Sequence, residues 1–103
     1  MKVVYTSEVL RELRAARQWY NHRAAGTGDR LLDIVDEKVG EIARLPASFP
    51  QDRQDPIARR ARLRKYPYTL IFMTQSDAIV LLALVHRKRK PGYWKKRLQL
   101  VDK

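Results

Sequence analysis

Residues 78–85 read Ala-Ile-Val-Leu-Leu-Ala-Leu-Val, an unbroken apolar octet. Successive side chains of a strand point to opposite faces, so a strand of this composition is apolar on both. It belongs inside a sheet that is covered above and below. Thr69–Thr74 is a second β-rich run, and Gln75-Ser76-Asp77 between the two predicts a hairpin turn. Upstream, Ala61 and Leu63 alternate with Arg60, Arg62 and Arg64. That alternation predicts a strand with small apolar groups on one face and guanidinium groups on the other. Tyr66-Pro67-Tyr68 breaks the chain between these strands, and Lys2–Tyr5 is a short β-like start.

The first half has a different period. Val9, Leu13, Ala16 and Tyr20, with Leu10 beside them, form one apolar stripe at helical spacing. Thr6 or Ser7 suits its N-cap, and Glu8 and Glu12 suit the positive end of a helix dipole. Gly26-Thr27-Gly28 ends this helix. Asp29 is the predicted cap of a second one, whose stripe is Leu31, Leu32, Val35, Val39 and Ile42 and whose stop is Pro46. Two helices joined so closely form an αα-hairpin. Residues 47–56 read as a loop anchored by Phe49, and Trp94 and Leu98 fit either a last helical turn or an irregular tail. The expected fold is α+β, one domain over residues 1–103, in the order β-α-α-β-β-β. It is a small antiparallel sheet with the N-terminal helical hairpin packed on one face.

Charge is divided unequally. Residues 1–56 carry nine Lys/Arg and nine Asp/Glu; residues 57–103 carry thirteen Lys/Arg against Asp77 and Asp102, which supplies the whole net +11. A positive charge carried on an ordered sheet suits an anionic partner. The chain has no cysteine, so disulfides, thiolate nucleophiles and zinc–thiolate sites are excluded. Two acids in the basic half are too few for a two-metal nuclease, and no metal or cofactor is expected. Asp33, Asp36, Glu37 and Glu41 read as the solvated side of the second helix. Gly26-Thr27-Gly28 lacks the strand and the Lys-Ser/Thr of a phosphate loop. Met1–Glu8 has no signal-peptide core and Thr69–Val85 is too short and too interrupted to span a bilayer, so a cytoplasmic protein without a membrane partner is expected.

The most informative sequence is Tyr66-Pro67-Tyr68 followed, after the apolar hairpin, by His86-Arg87-Lys88-Arg89-Lys90-Pro91-Gly92-Tyr93-Trp94. An aromatic-Pro-Tyr, a hydrophobic hairpin and then His-x-x-Arg-x-Pro-x-x-Trp resembles the RelE/ParE superfamily of toxins from bacterial type II toxin–antitoxin modules. The tail is closer to the ParE-like branch. Leu13, Ala16, Trp19 and Tyr20 in the first helix, Gly26 and Gly28 in the turn, and Pro46, Phe49 and Pro50 in the loop fit the same pattern.

The resemblance implies two activities. ParE-like members bind DNA gyrase and block it; RelE-like members cut mRNA on the ribosome. A RelE-like reading assigns catalysis to Arg87, Arg89 and Tyr93, helped by Arg64. Against it, the loop Gln51–Pro56 holds Asp52, Arg53 and Asp55 and lacks the lysines of those enzymes. The leading expectation is therefore inhibition by binding, with Arg60, Arg62, Arg64, His86, Arg87, Arg89 and Trp94 facing the target or a cognate acidic antitoxin in a hetero-oligomer. Each residue also has a plain structural reading. His86 at a strand end serves as a hydrogen-bonded scaffold, Trp19, Tyr20 and Trp94 as core anchors, His22 as surface, and Tyr93 as either packing or function.

Overall fold

The computed structural model describes residues 1–101; Asp102, one of the two acids of the basic half, lies outside them. Strand β1 (Lys2–Tyr5) leads into helix α1 (Ser7–Arg23), which is followed by α2 (Thr27–Arg44) and a single 3₁₀ turn at Pro46–Ser48. Strands β2 (Arg59–Arg62), β3 (Tyr68–Gln75) and β4 (Ala78–His86) follow, and a short helix α3 (Arg97–Val101) closes the described chain. The expected α+β class and element order are present, with α3 as the final helical turn.

The sheet order is β1-β4-β3-β2. β2, β3 and β4 form the expected antiparallel meander, whereas β1 pairs with β4 in parallel, from Lys2 opposite Ala78 to Tyr5 opposite Leu81. The sheet is thus mixed and not purely antiparallel. A hairpin forces antiparallel pairing, but β1 is separated from β4 by the whole helical hairpin, and such a crossover leaves the direction free. Lys2 N–H donates to Asp77 C=O at 3.3 Å, fixing the start of β1 beside the β3–β4 turn.

Thr6 ties β1, α1 and the sheet together. Its Oγ1 accepts from Val9 N–H (3.2 Å) as the N-cap and donates to Leu81 C=O (2.9 Å). The second helix begins three residues earlier than the Asp29 cap predicts. Gly26 takes φ 89°, a left-handed conformation open to glycine, and Thr27 starts α2. The orphan N–H of Gly28 finds its acceptor on the other helix, Asn21 Oδ1 at 2.7 Å. Asp29 instead accepts from Arg17 Nε at 2.7 Å.

Both faces of the sheet are covered, as the β4 octet requires. Val9, Leu13, Leu31, Val35 and Ile42 of the helices bury Leu70, Phe72, Ile79, Leu81 and Leu84 on one face. On the other, Trp94 and Leu98 pack over Ile71, Met73, Val80 and Leu82. The C-terminal segment therefore acts as the second cover, and Trp94, only 2% exposed, is its anchor.

Candidate functional site

The strands set up a polar row on the face away from the helices. Arg62 stands opposite Thr69 and Thr69 opposite Val85; one step inward, Arg60 stands opposite Ile71 and Ile71 opposite Ala83. Cross-strand partners share a face, so Arg60 and Arg62 sit at one side of a floor made of Thr69, Ile71 and Val85. Arg87 lies two residues beyond Val85 and returns to that same face. With strands about 4.8 Å apart, Arg62 and Arg87 flank a trough about 10 Å wide at backbone level. The trough is a groove of about 900 Å³, bordered by Asp52–Gln54 and by Arg87, Arg89, Pro91 and Gly92, and the two segments meet where Gln54 packs against Gly92.

Six cations line this groove: Arg53, Arg60, Arg62, Lys65, Arg87 and Arg89. One carboxylate joins them. Asp52 is almost buried, accepts from Gln54 N–H at 2.7 Å and lies 3.6 Å from Arg60 Nε. The other five cations have no carboxylate within ion-pair distance among the described residues. Arg89 lays its guanidinium over the Tyr93 ring, 3.9 Å from the centroid, which orients it while leaving its charge uncompensated. His86 ends β4 beside the groove, opposite Tyr68, whose ring packs with Tyr20 on the helical side. The His86 Nδ1 accepts from Lys88 N–H (3.1 Å) and its ring meets Tyr68 edge-on at 5.1 Å. Those contacts shape the turn that carries Arg87 and Arg89.

Not every expected site residue converges. Arg60, Arg62, His86, Arg87, Arg89 and Trp94 all border the groove, but Arg64 does not. β2 ends at Arg62, and the following turn, with Lys65 at φ 68°, carries Arg64 round to the helical side. There its guanidinium pairs with Glu37 of α2 at 3.0 Å. Arg64 is therefore removed from the Arg87–Arg89 cluster that the endonuclease reading requires.

Tyr93 also departs from that reading. Its hydroxyl turns over the edge of β4 and donates to Glu12 Oε2 of α1 at 2.5 Å. β1 stops at Tyr5, so the edge of β4 beyond Leu81 has no neighbouring strand, and side chains replace one. Glu12 Oε1 accepts from Leu84 N–H (3.0 Å), and Arg97 Nη1 donates to Leu82 C=O (2.9 Å). Arg97 also forks onto both Glu12 oxygens at 2.9 and 3.1 Å. Burial pushes the Tyr93 phenol well above its ordinary range, and the adjoining Glu12 carboxylate adds to the effect. A hydroxyl so held is a poor proton acceptor at neutral pH. Its role is to fasten the C-terminal cover to α1 and β4.

Three contributors to the site were not singled out in the sequence. Lys65 and Arg53 reach the groove only because their loops fold over the sheet. Glu12 carried a signal: it follows Val9 by three residues and so lies beside the buried stripe of α1, where an acid needs a partner. Among the described residues no cluster of three or more His, Asp or Glu side chains is placed to hold a metal ion, and no helix is long and apolar enough to cross a membrane.

Two comparisons bear on this arrangement. The family model for the ParE toxin of the type II toxin–antitoxin system, parDE, matches residues 3–91. The solved structure of the chromosomal ParDE TA system from P. aeruginosa superposes with a TM-score of 0.74 at 16% identity, covering 84% of this chain and 95% of that one. At that identity the likeness concerns the fold. No curated protein matches in sequence.

Proposed function

The chain belongs to the family of ParE toxins of type II toxin–antitoxin systems, and from that premise we propose that it halts growth by binding DNA gyrase, without chemistry of its own. The observation that carries this reading is Tyr93. The one side chain that an endonuclease would use near Arg87 and Arg89 is spent on Glu12 and on the β4 edge, while Arg64 is paired with Glu37. What remains around Arg62, Arg87 and Arg89 is a binding surface: cations with no base among them aimed at a common point. Binding requires complementarity of charge, and the groove's unpaired cations offer it to an acidic surface.

A short acidic antitoxin is the proposed cognate partner. An acidic, partly disordered segment that folds on binding would be drawn to the basic half and would block the groove. Hydrogen exchange in the toxin–antitoxin complex is expected to slow at Arg60–Arg62 or Arg87–Arg89; unchanged exchange at both stretches would remove the occlusion idea. A gyrase target also implies a cytoplasmic protein.

The test of function is a paired assay on purified, folded toxin. Gyrase supercoiling should fall with added toxin, and message in a purified translation system should stay intact. Arg62→Gln with Arg87→Gln should abolish inhibition, whereas Tyr93→Phe should leave it nearly unchanged. Cleavage of message that disappears in Tyr93→Phe would overturn the proposal in favour of the ribosome-dependent endonuclease.

A further inference from the structure

We infer that the outward edge of β1 pairs with itself: two copies of the chain join β1 to β1, antiparallel about a twofold axis at Val4, and their four-stranded sheets become one of eight strands. The inference is independent of the target that the groove takes.

The first observation is an unguarded edge. Open strand edges invite pairing with other chains, and folds shield them. Here β2 is shielded at its start, where Arg60 N–H donates to Pro50 C=O (2.9 Å), Asp52 N–H donates to Ala58 C=O (2.8 Å) and Gln51 bridges Arg59. β4 beyond Leu81 is shielded by Glu12 and Arg97. β1 carries no such cover. The N–H groups of Lys2 and Thr6 both donate towards β4, to Asp77 and Leu81 C=O, so by alternation the N–H and C=O groups of Val3 and Tyr5 point away from it. Among the described residues these outward groups have no hydrogen-bond partner. Val4 and Tyr5 are each 37% exposed, and the one charge of the strand, Lys2, stands at its start.

The second observation is that this edge complements itself. A twofold axis normal to the sheet keeps the two faces separate and pairs residues of equal parity. Centred on Val4, it sets Val4 against Val4 of the second copy at a closely spaced position and Val3 against Tyr5 on either side. Val3 N–H then donates to Tyr5 C=O of the second copy, and Tyr5 N–H to Val3 C=O of that copy. By symmetry every outward backbone group of β1 is satisfied. Val4 lies beside Val80 on the face that Leu98 covers, and Val3 packs against the core beneath the helices, so both new contacts extend existing apolar layers. An aromatic ring opposite a β-branched side chain is a favourable cross-strand pair. The same axis centred on Val3 would lay Lys2 against Val4. Charge favours a second copy over an acidic segment. In the Val4 register the two Lys2 residues stand about 14 Å apart, beyond the screening length of about 10 Å at 0.1 M salt. β1 also lies at the opposite edge of the sheet from Arg60 and Arg62. The two grooves of the pair therefore sit at its far ends, with about 34 Å between the β2 strands, and an acidic partner is drawn to them and not to β1.

One short strand pair buries far less than the roughly 800 Å² per partner of a standard interface, so the expected dimer is weak, with a Kd of about 0.1–1 mM. The experiment is sedimentation equilibrium of the toxin alone up to about 1 mM, in salt high enough to screen its net charge of +11. The mass should rise from 12.1 kDa towards twice that value. Val4→Lys and Val4→Glu each set two like charges face to face at the twofold axis, and each alone should stay at the monomer mass. Val4 is exposed, so both variants should fold, which circular dichroism checks. An equal mixture of the two should dimerise again, about tenfold more tightly than either alone, because opposite charges then meet at position 4. In the unsubstituted chain, raising the concentration should slow hydrogen exchange at the Val3 and Tyr5 amides and leave Arg62 unchanged. A chain that stays monomeric throughout, variants that associate as the parent does, or a folded mixture that fails to dimerise would each overturn the inference. Val3 and Tyr5 amides that slow only when an acidic antitoxin is added would give the edge to a partner's strand, and that too refutes pairing with a second copy.

Discussion

Gly28 is a point of close approach between α1 and α2, and replacing it by alanine gives a sharp test of the packing. It lies in the first turn of α2, and a Cβ there would stand 2.1 Å from Arg17 C=O oxygen, 2.8 Å from the Arg17 carbonyl carbon and 2.9 Å from Asn21 Cγ. The first two atoms are backbone and cannot swing aside. To reach ordinary contact the helices must part by about 1 Å or more. Overpacking of this kind costs about 1–3 kcal/mol. Separation also stretches the hydrogen bond from Gly28 N–H to Asn21 Oδ1, now 2.7 Å, for about 0.5–1.5 kcal/mol more. Alanine's better helix propensity returns about 0.8–1 kcal/mol. The net is a loss centred on about 2 kcal/mol, or roughly 8–16 °C in Tm for a domain of this size. Gly40 is the internal control. It lies in the same helix, but a Cβ there meets only the Arg44 guanidinium at 3.6 Å, so Gly40→Ala should be neutral or slightly stabilising. Urea or thermal unfolding of both variants decides the matter. If Gly28→Ala matched Gly40→Ala, the close approach of the two helices would be wrong, and with it the placement of Glu12 against β4.

Two further outcomes follow from ionisation. Tyr93 should be the last tyrosine to ionise in an alkaline titration followed by tyrosinate absorbance, and Glu12→Gln should bring its midpoint down; because the native value is raised, the stability it contributes is complete below the ordinary tyrosine range and is lost as pH rises through the native midpoint. An unmoved midpoint in Glu12→Gln would mean that the phenol–carboxylate contact does not exist in solution. Asp29 is the opposite case: hydrogen bonds from Arg17 and then Asn21 hold its carboxyl below the ordinary range, so its contribution is complete above that range and fades as pH falls through the native midpoint. Carboxyl NMR should show the midpoint climbing back in Arg17→Ala, and a value that stayed low would refute the assignment of cause.

Much of the architecture was readable because it depends on local chemistry. The two helices followed from their apolar stripes, and the β3–β4 hairpin from two apolar runs around Ser76-Asp77. The need for cover on both faces followed from the β4 octet. What escaped were features decided by groups far apart in the chain. Asp29 looks like a cap, but Asn21 of the other helix supplies the acceptor to Gly28 N–H. Arg64 continues the alternation of Arg60 and Arg62 in sequence, yet the strand has already ended and Glu37, from α2, draws it away. Tyr93 sits at the spacing of a catalytic tyrosine, and only the early end of β1 explains why its hydroxyl is needed at the β4 edge. The parallel pairing of β1 is of the same kind, since no residue of Lys2–Tyr5 encodes a direction.

The convergence of Arg62 and Arg87 depends on one irregularity in β4. Ile71 faces Ala83 and Phe72 faces Leu81, so Leu82 has no partner and the strand is bulged there. Leu82 and Ala83 both turn to the Trp94 side, after which Leu84 returns to the helices. Under strict alternation from Ile79 and Leu81, the helical face would have received Ala83, Val85 and Arg87. The groove would have received Leu84 and His86. The bulge reverses this: it buries Leu84 beside Glu12 and delivers Val85 and Arg87 to the face that Arg60 and Arg62 already occupy. An octet of apolar side chains carries no signal of which residue is the extra one, because either parity buries an apolar group. The same uniformity that made β4 easy to recognise as a central strand therefore hid the step that assembles the groove.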